Sequence, residues 1–243
     1  MSQNFWTSFI ASSLAALTTT CGIYAIRQRE AWARRNMTYF MCFAAGVLVS
    51  ASLLHLIPEA VSMSGQAAIC LLGGFLTFYL FNWFFTAYVC ERGKLPEARS
   101  GLIALFGIGF HSLIDGFIYS ISFTVSVSTG LLATAGMVLH EFPEGIVTYI
   151  LLLRGGFAPR NAFLAAFLAA ALTTPAGMLV SFPFVSHLRG VPLGNLLALS
   201  AGGLIYVGAS HLLPEAERDR KKYNLLAFIG GVAVTGAAKL LHH

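Results

Sequence analysis

The 243-residue chain is 57% hydrophobic and only 10% charged, with a mean hydropathy of +0.75. This composition excludes an ordinary soluble globular domain and places the chain in a lipid bilayer. Its net charge of +5 is better explained by membrane topology than by binding to nucleic acid, and no nucleic-acid partner is expected.

Polar residues divide the chain into eight apolar segments of about 20 residues, the length needed to cross a ~30 Å hydrocarbon core. In chain order, helices are predicted near 5–26, 38–60, 66–89, 101–124, 129–153, 161–184, 191–213 and 223–241. We therefore expect an all-α integral membrane protein with eight transmembrane helices, which form one transmembrane domain over residues 1–243.

The basic residues are distributed unevenly between the two sides of this arrangement. Alternating connections place 13 of the 15 Lys and Arg on one side, and only Arg189 and Lys239 on the other. Short loops rich in Lys and Arg stay in the cytoplasm, so both termini are predicted to lie outside. The compact chain is typical of a multi-pass protein of the bacterial inner membrane.

Two neighbouring segments carry the same polar pattern. His111 and Asp115 are four residues apart in the fourth segment, as are His140 and Glu144 in the fifth, and a glycine follows each carboxylate. Residues four apart lie on one helical face. An ionisable side chain near the bilayer centre costs at least ~2.5–3.5 kcal/mol, so this duplicated pattern indicates a function.

Both pairs are predicted at one depth. His111 and His140 lie about 15–16 Å along their helices, and the short connection makes the helices antiparallel neighbours. The two histidines and two carboxylates are thus expected to converge on one point at the membrane midplane, with Glu141 beside it. Mixed imidazole and carboxylate ligands suit Zn²⁺, Mn²⁺, Fe²⁺ or Co²⁺ rather than Cu⁺. Interhelical hydrogen bonds without metal are the structural alternative.

A second motif also occurs twice. The second segment contains HLIPEA from His55 to Ala60, and the seventh contains HLLPEA from His211 to Ala216. The predicted topology places the two copies at opposite sides of the membrane, which indicates an inverted repeat. His55 with Glu59, and His211 with Glu215, are candidate way stations for metal on its way in and out. An ordinary proline-containing helix end is the alternative.

The duplicated motifs and eight segments resemble the ZIP (Zrt/Irt-like) family of metal transporters over essentially the whole chain. This resemblance implies a ZIP-like bundle that brings zinc, or in some members Fe²⁺, Mn²⁺ or Cd²⁺, into the cytosol. It also implies a binuclear centre. The primary site would comprise His111, Asp115, His140 and Glu144, and Glu141 would contribute to the second.

The chain departs from the family pattern at two second-site positions. Ser112 follows the fourth-segment histidine where many members have Asn, and Thr174 precedes Pro175 where some bacterial members have a carboxylate. Both residues remain candidates for a second metal site. Zn²⁺ is therefore expected as the transported substrate, the bilayer as the surroundings, and a homodimer as one candidate assembly.

Two other functions are compatible with these residues. An intramembrane zinc-dependent hydrolase would use Glu141 as a general base, since H-E-x-x-E is similar to the H-E-x-x-H zinc helix. A membrane scaffold or sensor would bind metal without moving it. The second histidine–carboxylate pair supplies more ligands than an open catalytic site needs, which favours a transporter and a protein that is not an enzyme.

Overall fold

The computed structural model describes residues 3–90, 97–219 and 221–241, and these form eight helical stretches. The first half contains α1 (Gln3–Gln28), α2 (Glu30–Ala51, then Ser52–Leu56 and Ile57–Met63), α3 (Ala67–Cys90) and α4 (Glu97–Val125). The second half contains α5 (Val127–Arg154), α6 (Pro159–Ala166, then Phe167–Ala171 and Thr173–Val185), α7 (Val191–Ile205, then Tyr206–Leu212 and Leu213–Arg218) and α8 (Asn224–Leu241). The middle piece of α2, α6 and α7 is a π-helical turn.

The predicted all-α membrane architecture is confirmed. Seven of the helical stretches in the described residues are long and apolar enough to cross a bilayer, and Asn224–Ala237 of α8 is a shorter apolar helix. The count of eight spans and the outward termini stay predictions. α2 begins eight residues before its predicted start at 38, because Glu, Ala and Arg at 30–35 favour helix although they are too polar for the hydrocarbon core.

Each of the three π-helical turns lies shortly before a proline. The turns end at Leu56, Ala171 and Leu212, and the prolines follow at positions 58, 175 and 214. A proline lacks a backbone N–H and its ring clashes with the carbonyl four residues earlier, which favours the wider i to i+5 hydrogen bonding of a π turn. By contrast, Pro143 lies inside the continuous helix α5.

Glycines allow the helices to cross closely in pairs. A Cβ at Gly145 of α5 would lie 2.3 Å from the Thr19 carbonyl oxygen of α1, and one at Gly116 of α4 would lie 2.2 Å from that of Thr174 in α6. Only glycine permits this approach, which is typical of membrane helix pairs. Glycines bring together α2 with α8 and α3 with α7 in the same way, at Gly46, Gly231, Gly74 and Gly202.

This pairing has an internal symmetry. Exchanging α1 with α6, α2 with α7, α3 with α8 and α4 with α5 converts each close pair into another. The exchange also superimposes the two proline–glutamate motifs and their π turns. Such an exchange is expected of the inverted repeat that the sequence predicted.

The eight helices fall into two groups of four. α1, α4, α5 and α6 contact one another. In the second group α2 contacts α3, α7 and α8, and α3 contacts α7; the two groups meet mainly along α2 and α5. At that junction a Cβ on Gly136 would meet the Leu48 side chain rather than backbone. The glycine–carbonyl crossings thus hold each group together internally, whereas side chains form the contact between the groups.

Several of the described basic residues lie at one end of the bundle. The Arg27 guanidinium at the end of α1 lies 5.4 Å from the Phe163 ring centre near the start of α6. Lys221, before α8, donates to the Arg35 carbonyl of α2 at 2.7 Å. We call this the basic end. At the opposite end, Ser64 after α2 donates to Asn195 of α7 at 2.5 Å.

Candidate metal centre

Helices α4 and α5 place their two histidine–carboxylate pairs side by side. The helices are separated only by Ser126, whose hydroxyl oxygen accepts the Thr129 backbone N–H at 3.0 Å and thereby caps α5. This tight reversal makes the helices antiparallel. His111 lies at the middle of α4, and His140 at the middle of α5.

The four side chains converge on one point. His111 Nε2 lies 3.6 Å from Asp115 Oδ2 and 3.7 Å from Glu144 Oε2. His140 Nε2 lies 3.3 Å from the same Asp115 oxygen and 3.7 Å from the same Glu144 oxygen. Each imidazole nitrogen therefore faces both carboxylates. The two rings are nearly perpendicular, with centres 6.0 Å apart.

These distances fit a tetrahedral metal site. Each of the four residues offers one ligand atom, and those atoms all lie within 4.8 Å of one another. Ligands about 2.0–2.2 Å from a tetrahedral zinc ion are separated from each other by about 3.3–3.6 Å. The four nitrogen–oxygen distances nearly match this separation, so the cluster needs only small adjustments to hold an ion.

Access to the centre is uneven. The His111 and Glu144 side chains are 21% and 12% exposed, whereas those of Asp115 and His140 are 1% and 2% exposed. His111 precedes Asp115 on α4 and Glu144 follows His140 on α5, so the two accessible residues are the pair nearer the basic end. The two more exposed side chains of the cluster thus lie nearer the basic end, and the two buried ones lie nearer the opposite end.

Glu141 has different neighbours from the four clustered residues. Its side chain is fully buried, and one carboxylate oxygen accepts a hydrogen bond from the Thr19 hydroxyl of α1. The other oxygen accepts one from the Thr174 hydroxyl of α6 at 3.2 Å. The carboxylate thus links α5 to the two helices on either side of it. Its predicted contact with metal stays a prediction.

Ser112 and Thr174 both donate to carboxylates of the centre. The Ser112 hydroxyl lies 2.8 Å from Glu144 Oε1, the oxygen of that carboxylate that does not face the histidines. It is also 3.0 Å from the Ile108 carbonyl. The structure therefore brings both predicted second-site residues to the centre as hydroxyl donors. Their role toward a second metal ion stays a prediction.

Sequence reasoning missed Thr19. It belongs to no motif and lies four helices away from Glu141 in chain order, so only its position as a polar residue within an apolar segment marks it. The symmetry of the fold explains its role, because the exchange that relates α1 to α6 also relates Thr19 to Thr174. Two equivalent hydroxyls thus hold the two oxygens of one carboxylate.

The predicted way stations lie apart from the centre. His55 Nε2 is 3.4 Å from the Thr235 carbonyl of α8, and the Glu59 side chain is exposed. His55 lies within the π turn of α2, and His211 lies within the π turn of α7. The side chains of His211 and Glu215 fall outside the part of the chain that the structure describes.

The fold and the centre together define a multi-pass helical membrane protein with a four-residue cluster suited to a divalent metal ion. A family model described as ZIP zinc transporter matches residues 4–101 and 95–239. The chain belongs to the ZIP zinc transporter family. The expected family resemblance is confirmed.

Individual relatives cover this chain to different extents. Zinc transporter ZupT of Streptococcus mutans serotype c is 23% identical over 99% of both chains. Zinc transporter ZIP13 of Pongo abelii is 27% identical over 82% of this chain, and the ZIP13 homolog of Drosophila melanogaster is 28% identical over 62%. The chain spans 66% and 44% of the lengths of these two ZIP13 relatives.

Proposed function

We propose that this protein is a transporter that carries a divalent transition-metal ion, principally Zn²⁺, across the membrane into the cytosol. The observation that carries the proposal is the cluster of His111, Asp115, His140 and Glu144 at the middle of two adjacent spanning helices. Four ionisable groups inside a bilayer are costly, and a bound cation offsets the charge of the two carboxylates.

The donor set supports zinc as the preferred substrate. Two imidazole nitrogens and two carboxylate oxygens in near-tetrahedral spacing match the ligands and geometry of Zn²⁺. Fe²⁺, Mn²⁺ and Cd²⁺ share these donors and remain further candidate substrates. The relatives named above as zinc transporters support the same substrate class.

The difference in exposure among the four cluster side chains supports transport toward the basic end. Loops rich in Lys and Arg stay cytoplasmic, so we take the basic end as the cytosolic one and place both termini outside. The two more exposed side chains of the cluster, His111 and Glu144, lie nearer that end. This conformation is the one from which an ion taken up from outside would leave into the cytosol.

The division into two helix groups supports a moving centre. All four clustered residues lie on α4 and α5, and Glu141 is tied to α1 and α6 of the same group. Displacement of this group against α2, α3, α7 and α8 would carry the ligand set without taking it apart. Alternating access through such rigid-body motion is common in transporters built from inverted repeats.

The hydrolase alternative is less well supported by the geometry. It requires Glu141 to act as a base toward a metal-bound water, but both of its carboxylate oxygens accept hydrogen bonds from threonine hydroxyls.

The proposed transporter has four further features. It forms a single domain over 1–243, lies as a multi-pass protein in a bacterial inner membrane, assembles as a homodimer, and has way stations for metal at His55/Glu59 and His211/Glu215.

Transport can be tested with purified protein in liposomes that enclose a zinc-sensitive dye. External zinc should raise the dye signal with wild type and not with H140A, because one of the four ligands is lost. The matched control is H187A, since His187 is an exposed histidine between α6 and α7, outside the centre. A dye that stays dark with correctly folded wild type, or equal flux with H140A, would rule out the proposal.

A further inference from the structure

Several buried polar atoms near the centre have no hydrogen-bond partner. Within the described residues these include Tyr119 Oη and Ser122 Oγ on α4, and His140 Nδ1 on the metal-facing imidazole. The Tyr119 and Ser122 side chains are completely buried. Thr124 Oγ1, near the end of α4, also lacks a partner, but its residue is partly exposed. A buried hydroxyl without a partner destabilises the fold, so the two on fully buried residues indicate a role outside this conformation.

The two hydroxyl residues continue the metal-binding face of α4. At 3.6 residues per turn, Tyr119 and Ser122 lie within about 40° of Asp115 around the helix axis, and they follow it by one and two turns. Ser122 is about 10 Å beyond Asp115 along the axis. Both lie toward the opposite end of the bundle, beyond the buried side chain of Asp115.

Carboxylates are among the neighbours of Tyr119. Its hydroxyl is near enough to Asp115 and Glu141 to interact with their charges. α1 covers this stretch of α4, because the Ser8 hydroxyl donates to the Tyr119 carbonyl at 3.5 Å. A cation passing here would be attracted by the carboxylates and would find neutral hydroxyl oxygens as ligands.

Ser120 provides a contrast on the same helix. It is as deeply buried as Ser122, but it faces the other side of α4, toward α6. Its hydroxyl donates to the Met178 carbonyl at 3.1 Å and accepts from Ser181 at 2.7 Å. Ser120, which serves packing, thus has partners, whereas Ser122, which continues the metal-binding face, has none.

We propose that Tyr119 and Ser122 line the route of the ion between the metal centre and the opposite end of the bundle. When the centre opens to that end, their hydroxyl oxygens take the place of water around the divalent cation on its way to Asp115 and His140. The inference rests on the proposed transport function and adds a substrate-contacting segment to it. His140 Nδ1 gains a water partner in the same open conformation.

Cysteine labelling tests this route. In a parent variant with Cys21, Cys42, Cys70 and Cys90 replaced by Ala, S122C and S120C are compared in intact cells with a membrane-impermeant thiol reagent added outside. When the parent variant takes up zinc, S122C should react at least about tenfold faster than S120C, because the side chain at position 122 meets water as the centre opens outward and the one at position 120 does not. Excess zinc should slow that reaction.

Equal labelling of the two variants, or no labelling of S122C in a parent that takes up zinc, would overturn this inference and leave the transport function standing. Absence of uptake in wild type as well would overturn the transport function, and the inference with it. The two failures are therefore distinguishable.

Y119F tests the tyrosine by itself. Zinc uptake should show a KM about fivefold higher, while the melting temperature of the purified protein stays equal or rises because an unpaired buried hydroxyl is gone. Y149F is the control, since Tyr149 is buried on α5 on the basic side of the centre. A wild-type KM for Y119F, or a lowered melting temperature without a KM change, would contradict a role in the route.

Discussion

Two glutamates of α5, three residues apart, have very different environments. Glu144 is partly exposed and lies 3.7 Å from both His111 and His140. Glu141 is fully buried and bound by hydroxyls from α1 and α6. Neighbouring acids of one motif can thus differ in what they contact: Glu144 faces the two histidines of the cluster, and Glu141 joins the helices that surround it.

The largest effect is expected for E144Q. The substitution keeps the shape of the side chain but removes a negative charge and a strong ligand from the four-residue cluster. Zinc uptake into liposomes should fall by about 100-fold or more, as expected when a side chain that coordinates the metal ion directly is lost. Uptake within threefold of wild type would mean that Glu144 is not a ligand.

Loss of the close crossing between α1 and α5 should have the next largest effect. In G145A the new Cβ would lie 2.3 Å from the Thr19 carbonyl oxygen, so α1 must move away from Glu141. We expect a loss of about 1–3 kcal/mol of stability, measured as a lower melting temperature in detergent.

G73A is the matched control for this substitution. Gly73 lies in α3 with no atom within 4 Å of an added Cβ, so the exchange should be neutral or slightly stabilising. An equal loss in both variants would show that the crossing is not the cause.

A smaller effect is expected for E141Q. The amide oxygen can still accept one threonine hydroxyl, while the amide nitrogen faces a donor, so the link between the helices is weakened rather than lost. Zinc uptake should fall by about three- to tenfold. A loss as large as that of E144Q would assign Glu141 to the ion instead, as the family resemblance implies.

The smallest effect is expected at Asp219, a carboxylate that is also bound by a threonine but exposed. Asp219 accepts hydrogen bonds from Lys221 at 2.6 Å and from Thr38 at 2.7 Å, and these contacts lower its pKa. A carboxylate with a lowered pKa stabilises the fold at neutral pH, and this contribution disappears as the pH falls below about 4.

The D219N variant should therefore melt slightly lower than wild type at pH 7, and the difference should shrink when the pH is lowered to 3. Thermal unfolding of both proteins in detergent measures the difference in melting temperature at each of the two pH values. A melting-temperature difference between D219N and wild type that grows on acidification would contradict a lowered pKa of Asp219. Asp219 could then no longer serve as the exposed counterpart of Glu141.

The sequence was sufficient to predict the all-α membrane fold and to identify His111, Asp115, His140 and Glu144 as candidates for one cluster. Helical periodicity carries this information, because residues four apart share a face and a short connection makes the two helices neighbours. The zinc-uptake experiment with H140A tests whether an ion binds to this cluster.

Other features depend on contacts between distant segments. Thr19 reaches Glu141 from more than 120 positions away in the chain, and nothing local to either residue indicates the contact. The unpaired hydroxyls of Tyr119 and Ser122 are likewise visible only once their neighbours are known. The polar start of α2 extended further than hydropathy predicted, because helix propensity does not end at the membrane surface.

Three helices of the described chain contain a π-helical turn, and each such turn includes one residue more than regular α-helical geometry requires. A π turn holds more residues than an α turn, so a single-residue deletion there would return the helix to ordinary geometry rather than breaking it. Migration of the extra residue along α2 or α7 would rotate the stretch it passes by about 100° while the helix stays intact. In both helices the π turn overlaps the first residues of the proline–glutamate motif, so such a rotation would start at that motif.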